Sequence, residues 1–135
     1  MKVALDTNVL VSAFATRGLC ADILHVVLAE HQLVVGTTVL DELHRTLRKK
    51  LSVPADTVDE ITAFLRREGT VVAQAPPLEI KLRDKSDLAV LAEAAGGNAD
   101  VLVTGDRDLL EVADSAPLPI LTPRGFWDQL RVKPK

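Results

Sequence analysis

The chain has 135 residues with a formal net charge of −3, and 47% of them are hydrophobic against 26% charged; this is the length of one domain, residues 1–135, and the balance of a water-soluble globular protein. Aromatics are 3% with no Tyr, which predicts an aliphatic core and argues against nucleic-acid binding on stacked aromatic platforms. A single Cys excludes an intrachain disulfide or a cysteine-rich zinc site, and the lack of an apolar stretch of about 18 residues or a secretory leader makes a cytoplasmic protein, away from membranes, the expectation.

Residues 2–5 read as a strand, interrupted by Asp6-Thr7-Asn8. Val9 to Phe14 and Ala21 to Glu30 read as helices, with Ile23, Leu24, Val27 and Leu28 forming one buried face. Leu33-Val34-Val35 is a second strand. Thr38 then opens a helix with a capping-box pattern to Asp41, and Leu40, Leu43, Leu47 and Leu51 carry its apolar stripe. Pro54 suits the first turn of a further helix ending at Gly69. Thr70 to Ala73 is a third strand, and Pro76-Pro77 breaks the chain. A helix follows Asp84-Lys85-Ser86 and ends at Gly96-Gly97. Val101 to Val103 is a fourth strand, Leu109 to Ala113 a short helix, Pro119 to Leu121 a fifth strand, and Phe126 to Leu130 a closing helix.

Strands joined by helical crossovers predict a mostly parallel sheet with helices on both faces, a three-layer α/β/α arrangement. The chemistry of such sheets lies outside the carboxyl ends of the strands. Asp6 follows the first strand directly and Asp106 follows the fourth. Glu42 lies in the first turns of the helix after strand two, and Asp87 in the first turn of the helix leading to strand four. All four therefore project to one sheet edge. Each has a simpler explanation: Asp6 and Asp106 as N-caps, Glu42 and Asp87 as acids favoured by the helix dipole. Together they are costly, because unit charges about 4 Å apart repel by about 1 kcal/mol in water and about 4 kcal/mol near a protein surface. A cation that neutralises them removes the cost, and an all-oxygen set suits Mg²⁺ or Mn²⁺. Periodicity alone does not separate Glu42 from Asp41; the capping role of Asp41 leaves Glu42 freer. Ser86 or Asp84 serves as the cap of the later helix, which releases Asp87.

The quoted stretches LDTNVLVSAF, TTVLDELHRTL, RDKSDLAVLAEA, ADVLVTGDRDLL and ILTPRGFWDQL, running in this order from Val3 to Leu130, resemble the PIN-domain ribonucleases, in particular the toxins of bacterial and archaeal toxin–antitoxin pairs (VapC-like). The resemblance implies a five-stranded sheet of order 3-2-1-4-5, with Asp6 and Asp106 flanking the switch point. It implies Asp6, Glu42, Asp87 and Asp106 as catalytic, metal-binding acids for one or two Mg²⁺ or Mn²⁺ ions. Asn8 and Thr104 would be polar supports and Asp108 an outer or additional acid. It also implies an antitoxin partner and self-association as a homodimer or higher oligomer. One departure concerns the third acid: the family commonly reads Asp-Pro-x-Asp-Asp, whereas this chain has Asp84-Lys85-Ser86-Asp87-Leu88.

The reaction these residues predict is metal-dependent hydrolysis of an RNA phosphodiester by an endoribonuclease, with Thr7 and Asn8 ordering the Asp6 carboxylate or the attacking water. Arg45, Arg48, Lys49, Arg83 and Lys85 would track the RNA backbone, although solvated helix faces explain the same charge clusters. Two alternatives stand beside it. A haloacid-dehalogenase-type phosphatase also places Asp after strand one, but it needs a second acid where this chain has Asn8. A catalytically silent PIN-fold module binding RNA or protein would keep the fold without turnover. His25, His31 and His44 form no ligand-like repeat.

Overall fold

The computed structural model describes residues 1–131. Five strands form one parallel sheet of order β3-β2-β1-β4-β5: β1 (Lys2–Leu5), β2 (Gln32–Gly36), β3 (Thr70–Val72), β4 (Val101–Val103) and β5 (Ile120–Leu121). Between them run α1 (Thr7–Ala15), α2 (Leu19–Glu30), α3 (Thr37–Arg45), α4 (Ala55–Glu68), α5 (Lys85–Gly96) and α6 (Arg107–Glu111), with α7 (Pro123–Arg131) closing the described chain. The expected order of elements and strands is observed. No single helix among these residues is long and apolar enough to cross a membrane.

The middle strands show why the sheet is covered on both sides. Leu33, Val34 and Val35 are all buried, as near-continuous apolar strands of parallel sheets are. Their neighbours alternate: a side chain at Gly69, after α4, would press on Leu33 and Val35, while one at Gly97, after α5, would press on Val34 and Val72. Right-handed crossovers place α1 to α4 on one face and α5 and α6 on the other. The core is aliphatic, with Phe126 of α7 its one fully buried aromatic ring; Trp127 packs at its margin.

Helix α3 departs from expectation at both ends. Its cap is Gly36, and the Thr38–Asp41 capping box does not form. Glu93 of α5 reaches across instead: its carboxylate accepts from the Thr38 amide at 3.0 Å and from Thr38 Oγ1 at 2.7 Å. A buried carboxylate on the positive end of a helix is a stronger cap than a side chain one turn away. Any side chain at Gly36 would collide with that carboxylate. At its other end α3 widens into a π-turn, Thr46–Lys50, whose Leu51 amide bonds the Thr46 carbonyl at 3.2 Å.

Candidate active site

Asp6 leaves β1 at its carboxyl end and caps α1, its Oδ1 accepting from the Thr7 amide at 2.7 Å. The other oxygen accepts from Thr104 Oγ1 at 2.7 Å and from Asn8 Nδ2 at 3.2 Å. Thr104 is fully buried behind it, just past β4, and its hydroxyl also accepts from the Asp106 amide at 2.9 Å. Asn8 turns its amide oxygen to the Gly105 amide at 3.0 Å. These bonds tie the ends of β1 and β4 together, so the two aspartates that follow them are held at one place. Burial raises the Asp6 carboxyl above its ordinary pKa, with Glu42 and Asp106 adding to the rise, while the Thr104 and Thr7 donors oppose it.

Glu42 projects from α3 into the same place and is gripped at both oxygens. Thr7 Oγ1 donates to Oε1 at 2.7 Å, and Ser86 Oγ donates to Oε2. The two hydroxyls come from α1 and α5, so one carboxylate joins three helices.

Asp87 and Asp106 form a different kind of group. Asp84 caps α5 through the Ser86 amide at 2.8 Å, and Asp106 caps α6 through the Asp108 amide at 2.9 Å. Asp87, free of capping duty, faces Asp106. Its carboxyl is pushed up to about 7, first by desolvation, then by the charges of Asp106 and Asp84 and by hydrogen bonding with Asp106. Oxygen atoms of Asp87, Asp106 and Asp108 all lie within 4.8 Å of one another. An all-oxygen donor set in which the ligands repel one another to this degree fits a hard divalent cation such as Mg²⁺ or Mn²⁺.

Asp6, Glu42, Asp87 and Asp106 thus line one open cleft of about 590 Å³, together with Thr7, Asn8 and Asp84. Arg45, Thr46, Lys49 and Lys50 line the same cleft, Arg45 one turn beyond Glu42 on α3. Arg45 and Lys49 were expected beside the acids; the other expected basic residues lie elsewhere. Arg48 donates to the Val53 carbonyl at 3.0 Å and lines an adjoining cavity with His44. Lys85 lines a groove on α5 with Leu88, and Arg83 is exposed ahead of that helix. Val11, Thr46, Lys50 and Asp84 also line the cleft, and none of them is expected there from the sequence, where Asp84 reads only as a helix cap. Ser86 reads as a cap too, yet donates to Glu42. Glu93 carries no local signal at all, since its partner lies 55 residues away.

The PIN-domain family profile matches residues 2–108. Among solved structures, the chain is similar to VapBC2 from Rickettsia felis bound to a DNA fragment from its promoter, with a TM-score of 0.63 and 16% identity over 90% of this chain and 98% of that one. It is also similar to FitAcB from Neisseria gonorrhoeae, with a TM-score of 0.59 and 15% identity over 90% and 98% of the two chains. At such identities these are likenesses of fold. No curated protein sequence gives a significant match. The profile spans most of the chain and includes every acid of the cleft, and on that ground the chain belongs to the PIN-domain family.

Proposed function

We propose that the chain is a single PIN domain acting as a metal-dependent endoribonuclease, and that it is the toxin of a toxin–antitoxin pair. The observation that carries the nuclease reading is the cleft itself: acids from the ends of β1 and β4 and from α3 and α5 meet in one cleft with Arg45, Lys49 and Lys50. Acids alone would repel a phosphodiester, and cations alone would bind one without cutting it. The toxin role rests on the fold neighbours, which are toxin–antitoxin complexes.

Asp6, Glu42, Asp87 and Asp106 would hold one or two Mg²⁺ or Mn²⁺ ions, with Asp108 beside Asp87 and Asp106. When bound, such ions polarise a non-bridging phosphate oxygen and ready a water for in-line attack. The protein's own residues supply the positioning. Thr104 and Asn8 fix the Asp6 carboxylate, and Thr7 and Ser86 fix Glu42, so neither carboxylate reorganises during the reaction. Arg45 and Lys49 bind the RNA backbone next to the acids, giving salt-sensitive binding with little base preference. The amide of Asn8 is occupied by Asp6, Thr104 and Gly105 and cannot protonate a leaving group, which counts against a phosphoryl-aspartate route.

Purified protein with Mn²⁺ or Mg²⁺ is expected to cut RNA. Asp6→Asn is expected to lower the rate on the order of a thousandfold, the equivalent of several kcal/mol of transition-state stabilisation. Undiminished cleavage by that variant, or by the native protein in excess chelator, would overturn the reading. Induced expression is expected to arrest growth with the native chain and not with Asp6→Asn; growth unaffected by an active nuclease would remove the toxin role alone.

A further inference from the structure

We propose that Lys50 is a phosphate-binding residue of the cleft, recruited to it by the π-turn at the end of α3. The proposal rests on the ribonuclease reading and adds a residue, and a structural device, to the substrate path.

In a continuous α-helix, residues five apart point about 140° away from each other at 3.6 residues per turn. Arg45 and Lys49, four apart, share a face; Lys50 would point away from them. The turn from Thr46 to Lys50 is instead a π-turn, closed by the Leu51 amide on the Thr46 carbonyl at 3.2 Å. Closing on the fifth residue turns position i+5 back toward the face of position i. Lys50 accordingly lines the acidic cleft together with Arg45 and Lys49. The widened turn is held from below. The Val53 amide bonds the Leu47 carbonyl at 2.9 Å, and Arg48 spends its guanidinium on the Val53 carbonyl at 3.0 Å. Ser52 takes a positive φ of 54° to turn the chain there. Arg48, committed to the backbone, lines only the adjoining cavity, which Arg45 and Lys49 share, whereas Lys50 lines only the acidic cleft.

Cations beside the acids in one cleft have a chemical consequence. The phosphate being cut is taken by the acids' cation, so Arg45, Lys49 and Lys50 are left for its neighbours along the strand. Lys50 adds one phosphate contact. The ligand is therefore a polyanionic strand extending beyond the scissile phosphate.

The test measures binding of a short labelled single-stranded oligoribonucleotide to the Asp6→Asn protein at fixed Mg²⁺, over a range of KCl concentrations. Adding Lys50→Ala is expected to weaken binding and to reduce the slope of log K against log salt by about 0.7, the value for one phosphate contact on a single strand. Lys50→Arg is expected to keep the slope. Arg66→Ala, on the end of α4 that leads into the amino edge of β3, is expected to change nothing. An unchanged slope in Lys50→Ala, checked with Lys50→Gln, overturns the proposal while leaving the nuclease reading intact. Failure of the Asp6→Asn protein to bind RNA at all would overturn the nuclease reading together with it.

Discussion

Asp6 and Glu42 are held in the opposite way from Asp87, Asp106 and Asp108. Both oxygens of Asp6 and both of Glu42 receive hydrogen bonds from groups fixed by other elements: Thr104, Asn8 and the Thr7 amide for the first, Thr7 and Ser86 for the second. Asp106 accepts from the Asp108 amide at 2.9 Å, and Asp87 faces Asp106, whose charge adds to desolvation in raising the Asp87 carboxyl. The first pair is satisfied by the protein. The second group keeps a mutual repulsion that a bound cation would relieve. A site arranged this way can be rigid enough to aim a ligand and still strained enough to want a cation.

Thr104 is the sharpest place to break the first half. Its buried hydroxyl serves Asp6, Asn8 and the Asp106 amide at once. Thr104→Val keeps the shape but leaves a buried carboxylate oxygen and an amide short of a partner, and is expected to cost about 1–3 kcal/mol. Urea denaturation would show this as a lower midpoint at unchanged slope. Thr104→Ser keeps the hydroxyl and is expected to lose only the methyl group, about 0.8 kcal/mol. If the valine variant costs no more than the serine one, the bonds behind Asp6 do not stabilise it.

This half of the site was partly legible from the residues alone, and the limits have physical causes. An apolar run ending in an acid marks a strand delivering that acid to its carboxyl edge, so Asp6 and Asp106 could be placed from local pattern. Their neighbours Thr7, Asn8 and Thr104 could be named as supports because they sit beside those acids in the chain. The sheet order came from resemblance, since periodicity says which residues pair with a sheet but not which strand lies next to which. Contacts between distant segments left no local trace. Thr38 and Asp41 have the spacing of a capping box, but the competing partner, Glu93, arrives from α5 and wins the amide. Ser86 has the local pattern of a cap residue and spends its hydroxyl on Glu42, 44 residues away. The π-turn is equally hidden: in the sequence the stripe of leucines runs unbroken through Leu47 to Leu51, yet in the structure Leu47 is buried and Leu51 is 45% exposed.

The second half should respond to charge removal with the opposite sign. Asp87→Asn takes one charge out of a mutually repelling group, and the metal-free protein is expected to gain stability on the order of 1 kcal/mol. The stabilisation by Mn²⁺, read as a rise in Tm, is expected to shrink, because the cation has lost a ligand. The same exchange at Asp6 replaces an accepting oxygen with an amide that faces donors from Thr104, Asn8 or Thr7, and should lower stability. Equal effects at the two positions would show that the acids form one group, not two.

The smallest effect is the pH dependence of that group, and its sign follows from Asp87. The carboxyl is pushed from an ordinary 3.8 up to about 7. Between those values the folded protein holds a proton that the unfolded chain has released, so stability falls as pH rises across the interval and levels off above about 7. Asp87 is partly exposed, and solvent screening keeps the slope shallow. Metal binding has the reverse dependence, because the ligand must give up its proton. The increase in Tm on adding Mn²⁺ should therefore grow as pH rises through about 7, just where the metal-free protein is weakest. Following the fluorescence of Trp127 during thermal unfolding, with and without Mn²⁺, reads both trends in one protein. In Asp87→Asn both should flatten; a metal-free slope that survives in this variant would assign the titration to another group.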